Sequence, residues 1–189
     1  MTAPLPGQPG FVAPHPSDRP RETRRAVRVL LLDDGDRILL LQDSDLGLDP
    51  VLHWWVTPGG GVDPGETDAE AAVRELVEET GLVVAEEDLV GPVLERPVVH
   101  GYSDKIVDQT EVFFLVRVPA FEVDTSGHTE EEQRTLVELR WWSLDAVAGT
   151  ADDVWPRDLA AMLALAEEPH RWAGGAVAAP PVEESVVPE

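Results

Sequence analysis

A mixed α/β domain, with a β-sheet packed between α-helices, is the fold class this sequence predicts. Two observations carry that reading. Short apolar runs bounded by Gly, Pro and Asp recur on both sides of an amphipathic segment, Thr67 to Thr80. A second segment with helical spacing, Pro156 to Glu168, follows the last of those runs.

The elements follow in chain order. "RRAVRVLLL" and "RILLLQ" flank "DDGD", and Asp34-Gly35 is a turn signal, so Arg25–Leu32 and Arg37–Gln42 read as a hairpin. Asp43–His53 is a polar loop, and "WWVTP" is a short strand stopped by Pro58. Thr67 to Thr80 carries an apolar stripe of Ala69, Ala72, Val73, Leu76 and Val77, and Gly81 ends it. "LVGPVLERPVVHG" and "QTEVFFLVRV" are two further strands joined by "YSDKIVD". "TSGHTEEEQ" is an acidic loop, and "LVELRWWSL" is a last strand with Trp141 or Trp142 facing inward. Pro156 stands near the first helical position of the closing helix, which turns Leu159, Met162, Leu163 and Leu165 inward. The order is β-β-β-α-β-β-β-α, without internal repeats.

Residues 1–23 are rich in Pro and Gly and are expected to form a flexible arm. Residues 173–189 read as a second loose, acidic tail, leaving 24–172 as the folded domain. The chain of 189 residues suits one domain with a sizeable core. Its net charge of −23 argues against nucleic acid or an anionic membrane as a partner. A small phosphorylated ligand stays admissible, because a metal ion reverses the local sign. The absence of cysteine excludes disulfides, thiolate metal sites and cysteine nucleophiles. No secretory signal or long apolar run is visible, so a cytoplasmic protein is expected.

The stretch "TPGGGVDPGETDAEAAVRELVEETGL" carries the chemistry. Glu75, Glu78 and Glu79 stand at i, i+3 and i+4, within about a 100° arc of one helix. Such like charges repel, and at the C-terminal half they also oppose the helix dipole. A solvated acidic face is the bland account; a hard divalent cation would offset both costs. Gly59-Gly60-Gly61 allows close backbone approach to a ligand or metal, and Glu66 stands just before the helix, where its charge suits the dipole.

Read from Gly60 through Glu66, Arg74-Glu75-Leu76 and Glu78-Glu79 to Gly81-Leu82, the segment resembles the Nudix box at every fixed position. The resemblance implies a Nudix fold and metal-dependent hydrolysis of a nucleoside diphosphate linked to another moiety X. It implies Mg²⁺ or Mn²⁺ held by Glu75, Glu78 and Glu79, with Arg74 positioning the carboxylates and Glu66 supporting the loop or reaching metal-bound water. It also implies that Gly59 offers its carbonyl to the metal, with Gly60 and Gly61 along the substrate.

Outside the box, family members often need a further acid from a loop. Glu132, then Glu130, is the candidate in "HTEEEQ". Trp54 or Trp55 could stack on a base, although alternation sends one of them to the core. The five histidines have no ligand spacing; His53 and His128 lie nearest the expected cleft. Pro97, 15 residues after Leu82, resembles the pattern of Nudix enzymes that cleave ADP-ribose, whereas Tyr102 lies too far along for the dinucleoside polyphosphate pattern. ADP-ribose or a nucleotide sugar therefore ranks just ahead of a modified nucleoside triphosphate. The alternative function is a Nudix-like sensor that binds a nucleotide without cleaving it; the isomerase branch of the fold is disfavoured by the lack of cysteine. Selectivity is expected from the loops at 43–53, 100–109 and 124–135. The partner expected is a small-molecule nucleotide, and a homodimer is left open.

Overall fold

The computed structural model describes residues 4–188. Its spine is a parallel pair. β1 (Arg21–Asp33) runs beside β5 (Ile106–Val118) from Arg21 opposite Ile106 to Asp33 opposite Val118. β2 (Arg37–Asp45) and β3 (Leu52–Val56) continue the sheet on one side of β1, and β4 (Val90–Gly101) lies beyond β5. β6 (Glu138–Ser143) also pairs with β2, and β7 (Val154–Trp155) borders β3. α1 (Asp68–Thr80) and α4 (Leu159–Ala166) are the longer helices among the described residues; α2 (Glu132–Thr135) and α3 (Leu144–Gly149) are short.

Strand alternation sends successive residues to opposite faces, and each face finds its own helix. Val27, Val29 and Leu31 pack with Ala71, Ala72 and Leu76 of α1. Leu30 and Leu32 pack with Leu159, Met162 and Leu163 of α4. The sheet therefore lies between helices, as the apolar stripes require. Trp142 is the inward member of its pair, joining the α4-side core, while Trp141 packs half-buried against the α1-side core.

One gap in the sheet positions the site. β2 pairs with β1 only at its far end, Leu32 opposite Ile38. The open edge of β1 is taken by the glycine loop: the Val27 and Val29 amides donate to the Gly60 and Pro58 carbonyls, at 2.9 and 2.8 Å, and the Val62 amide donates to the Arg25 carbonyl at 3.0 Å. The loop is thus held like a strand just ahead of α1. Thr67 and Glu70 close a reciprocal cap on that helix.

Both chain ends differ from the loose segments expected. β1 begins at Arg21, inside the 1–23 arm, and the Arg19 guanidinium donates to the Tyr102, Val187 and Pro188 carbonyls. β8 (Val177–Ala178) and β9 (Val182–Glu183) pair parallel with β4 from within the 173–189 tail. The physical reason lies at Glu184. Its buried carboxylate takes two bonds from Arg96, at 2.6 and 3.1 Å, so the tail neutralises a core guanidinium. Among the described residues, no helix is long and apolar enough to cross a membrane.

Candidate functional site

The loop before α1 fixes the first acids. Gly59 has φ +135°, and a Cβ there would overlap the Val27 carbonyl, so only glycine fits. Its amide donates to Glu79 Oε2 at 2.8 Å. A Cβ on the next residue, Gly60, would collide with the Glu75 carboxylate. Arg74 draws the remaining acids together: its guanidinium bonds both Glu66 oxygens at 2.9 and 3.0 Å, Glu75 Oε1 at 2.7 Å, Glu78 Oε2 at 3.1 Å and the Gly61 carbonyl at 2.8 Å. The arginine bonds hold the Glu66 carboxyl below its ordinary range.

The 124–132 turn brings the acid from outside the box. The Asp124 amide donates to the Thr80 carbonyl at 3.0 Å, and a His128 ring nitrogen lies 2.9 Å from the Glu79 carbonyl. Those contacts use carbonyls freed at the end of α1. They dock the turn so that oxygens of Glu75, Glu79 and Glu132 lie within 4.8 Å of one another. Burial pushes the Glu79 carboxyl well above the usual carboxylate range, and repulsion from Glu75 adds to it. Burial likewise raises Glu75, against the pull of Arg74. Three converging hard oxygens, two from buried acids whose charge is poorly compensated, fit a divalent cation that completes its shell elsewhere.

Several expected roles look different in place. Glu78 is not in the converging group; its side chain is 41% exposed and pairs with Arg74, which answers its charge at the helix surface. The Gly59 carbonyl accepts from Arg28 Nη1 at 3.0 Å, and a guanidinium there opposes a second cation on the same oxygen. Gly60 and Gly61 spend their carbonyls on the Val27 amide and on Arg74. Trp55 is core: it is 1% exposed, edge-on to Trp142, with its indole N–H on Asp152 at 3.0 Å. Trp54 stacks on Trp155 at 5.1 Å, yet it reaches the wall of a cavity.

That cavity, about 650 Å³, opens beside α2. Residues from all three expected selectivity loops reach it, among them Asp43, Tyr102, Lys105, Glu130 and Glu131. Arg24, also on its wall, adds a positive charge. Pro97 is exposed on β4 and is not among the lining residues. Arg28 went unrecognised in the sequence, and His128 was expected near the cleft but without this contact to Glu79. An arginine among the apolar residues of "RRAVRVLLL" was a signal for Arg28, because a buried guanidinium needs partners; His128 offered only its nearness to the acidic loop.

The NUDIX domain model matches residues 22–164. The chain is 41% identical over 86 residues to a putative 8-oxo-dGTP diphosphatase of Bacillus subtilis, covering 46% of this chain and about half, 48%, of that protein. It is 30% identical over 147 residues to an RNA pyrophosphohydrolase of Saccharophagus degradans, covering 72% of this chain and 83% of that protein. The fold is similar to that of the MutT protein of Methanosarcina mazei, with TM-score 0.54 and 22% identity over 80% of this chain and 96% of that one. With the family model spanning most of its length, and the glycine loop, Arg74 and the acids of α1 set as described, this chain belongs to the NUDIX family.

Proposed function

We propose that the chain is a metal-dependent pyrophosphohydrolase that cleaves a nucleoside diphosphate linked to a further moiety X. The observation that carries this is the convergence of Glu75, Glu79 and Glu132 within 4.8 Å, with Glu131, the residue before Glu132, on the wall of a cavity of about 650 Å³. Cavities of roughly 300–1,000 Å³ suit one drug-sized ligand, the scale of a nucleotide. Family members generally use divalent cations. Bound Mg²⁺ or Mn²⁺ would supply Lewis-acid neutralisation of the diphosphate.

The chain's own groups divide the remaining work. Gly59 N–H and Arg74 hold Glu79 and Glu75 in fixed orientation. Glu132 is the least buried of the three and takes the proton of the attacking water. Glu66 keeps Arg74 aimed, and Glu78 joins through the same arginine. Trp54, Tyr102 and Arg24 line the seat of the base or of X.

Among substrates, a nucleoside polyphosphate now stands ahead of ADP-ribose. Pro97, the only residue that favoured ADP-ribose, is not at the cavity, and the relatives' names speak of 8-oxo-dGTP, of a bis(5'-nucleosyl) tetraphosphate and of RNA. The charge of −23 and the acids on the cavity wall favour a free nucleotide over an RNA end. A panel of nucleoside triphosphates, oxidised nucleoside triphosphates, dinucleoside polyphosphates, nucleotide sugars and ADP-ribose, assayed with Mg²⁺ and Mn²⁺, tests the proposal. Turnover of at least one anhydride is expected. Tight nucleotide binding with no turnover of any would replace the enzyme by the sensor.

A further inference from the structure

We infer that the N-terminal arm, which precedes the family module, is a wall of the substrate cleft and limits the size of the group seated there. This rests on the reading of the cavity as the substrate site.

The arm has a defined shape, and its sequence explains it. "LPGQPGF" is two consecutive turns, each with Pro second and Gly third. The Gln8 amide donates to the Leu5 carbonyl and the Phe11 amide to the Gln8 carbonyl, both at 3.0 Å. Gly7 and Gly10 have φ of +77° and +86°. This is the signature of type II turns, where Pro presets the second position and Gly suits the third. A run that composition alone labels flexible is therefore preorganised, and ordering it costs little. The Leu5 amide also donates to the Gln8 side chain at 2.9 Å, tightening the first turn.

The arm is fastened at separate points to elements that carry the site. Arg134 of α2 donates to the Pro6 carbonyl at 2.7 Å. Gly7 lies so close to the loop after β2 that a Cβ would fall 2.9 Å from Leu46 Cβ. Gly47 sits under the Phe11 ring, where a Cβ would meet Cε1 at 2.7 Å. Arg19 clamps the root of the arm to the Tyr102 carbonyl, and Tyr102 also lines the cavity. Leu5, Pro6 and Gln8 complete that cavity, yet all three lie before residue 22, where the family match begins. With the arm in place the cavity measures about 650 Å³, so the arm sets its extent on this side.

The experiment compares the full chain with one lacking residues 1–12, which keeps Arg19. The readout is the ratio of kcat/KM for a dinucleoside tetraphosphate to that for a nucleoside triphosphate, with Mn²⁺. Removing the wall should raise this ratio on the order of tenfold. Because Arg134 stands two residues from Glu132, loss of the arm could also loosen the acidic cluster; that would lower both substrates alike and leave the ratio alone. A ratio within about twofold of the full chain's, with or without a uniform loss, overturns the inference. Calorimetric Kd values for a nucleoside monophosphate and a methylene-bridged dinucleoside polyphosphate give the same comparison without turnover. If the full chain hydrolyses neither substrate, the Kd ratio alone decides about the wall, and the wider substrate panel decides separately about the proposed activity. Gly7→Val keeps the full length but strains the first turn and pushes it off Leu46, so it should move both ratios in the same direction. It also decides the matter should the shortened chain not melt cooperatively.

Discussion

Two groups of buried acids in this molecule have opposite electrostatic fates. Glu111 and Glu184 lie on the α4 side of the sheet among guanidiniums: Arg96 Nε donates to Glu111 at 2.9 Å, Arg28 Nε to its other oxygen at 3.0 Å, and Arg96 takes both oxygens of Glu184. Burial works to raise the Glu111 carboxyl, but His100, Arg28 and Arg96 outweigh it and hold it well below the ordinary range. Two acids face two arginines, and the charge closes. At the end of α1, Glu75, Glu79 and Glu132 converge, and among the described residues Arg74 is the only cation hydrogen-bonded to any of them, through Glu75; it is shared with Glu66 and Glu78. There Glu79 is pushed up instead of down. The same residue type at similar burial is thus structural where cations answer it and ligand-seeking where they do not. Arg28 joins the two groups, since it also donates to the Gly59 carbonyl while the Gly59 amide holds Glu79.

The largest expected effect separates the groups by activity. Glu79→Gln should lower kcat on the order of 10²–10⁴-fold, about 3–5 kcal/mol of transition-state stabilisation, at saturating Mg²⁺. Glu78→Gln, whose carboxylate lies outside the converging group, should cost on the order of tenfold, or about 1.4 kcal/mol. Equal losses in the two variants would return Glu78 to the full ligand set that the box implies. Retention of more than about a third of turnover by Glu79→Gln would remove it from the site.

Next comes the charge-closed group, read by stability. Glu184→Ala leaves buried Arg96 with Glu111, for which Arg28 competes, and with exposed Asp158 at 3.5 Å. Chemical denaturation should show a loss of about 3 kcal/mol, the scale for breaking a buried pair. Turnover per folded molecule should stay within about threefold of the parent. A collapse of turnover at unchanged stability would invert the comparison between the two groups.

The smallest effect is in pH. Glu79 has a folded pKa above its ordinary value of 4.5, so between the two values the native chain holds a proton that unfolding releases. Raising the pH through that window lowers the stability of the metal-free protein, by up to about 1.4 kcal/mol per pH unit for one proton. Glu75 acts with the same sign. Glu111 acts oppositely: its contribution is full above 4.5 and is lost only as the pH falls through its lowered folded value. Melting in chelator between about pH 5 and 8 should therefore show a downward slope that Glu79→Gln flattens. A slope unchanged by Glu79→Gln would mean that Glu79 carries no such burden.

What the sequence by itself determined is what local spacing and alternation encode. The α1 helix follows from its apolar stripe and the Gly81 stop, the sheet-between-helices architecture from the order of apolar runs, and the stacked acids from the i, i+3, i+4 spacing. The choice of Glu132 over its neighbours was open to the same reading, since the box leaves a further acid to a loop, but its distance to Glu75 was not. Contacts across the sheet were invisible because no local pattern encodes them. Arg96 chooses Glu184 from 88 positions away, and that choice turns an apparently loose tail into two strands. Trp55 goes to the core and Trp54 to the cavity wall because the pleat has two faces, and only tertiary packing says which face is filled. The arm is a different case: its Pro and Gly content alone signals flexibility, whereas the positions of its two Pro-Gly pairs encode two turns. The tertiary structure alone decided that those turns rest on Leu46 and Arg134, because burial and charge pairing depend on which distant surfaces meet.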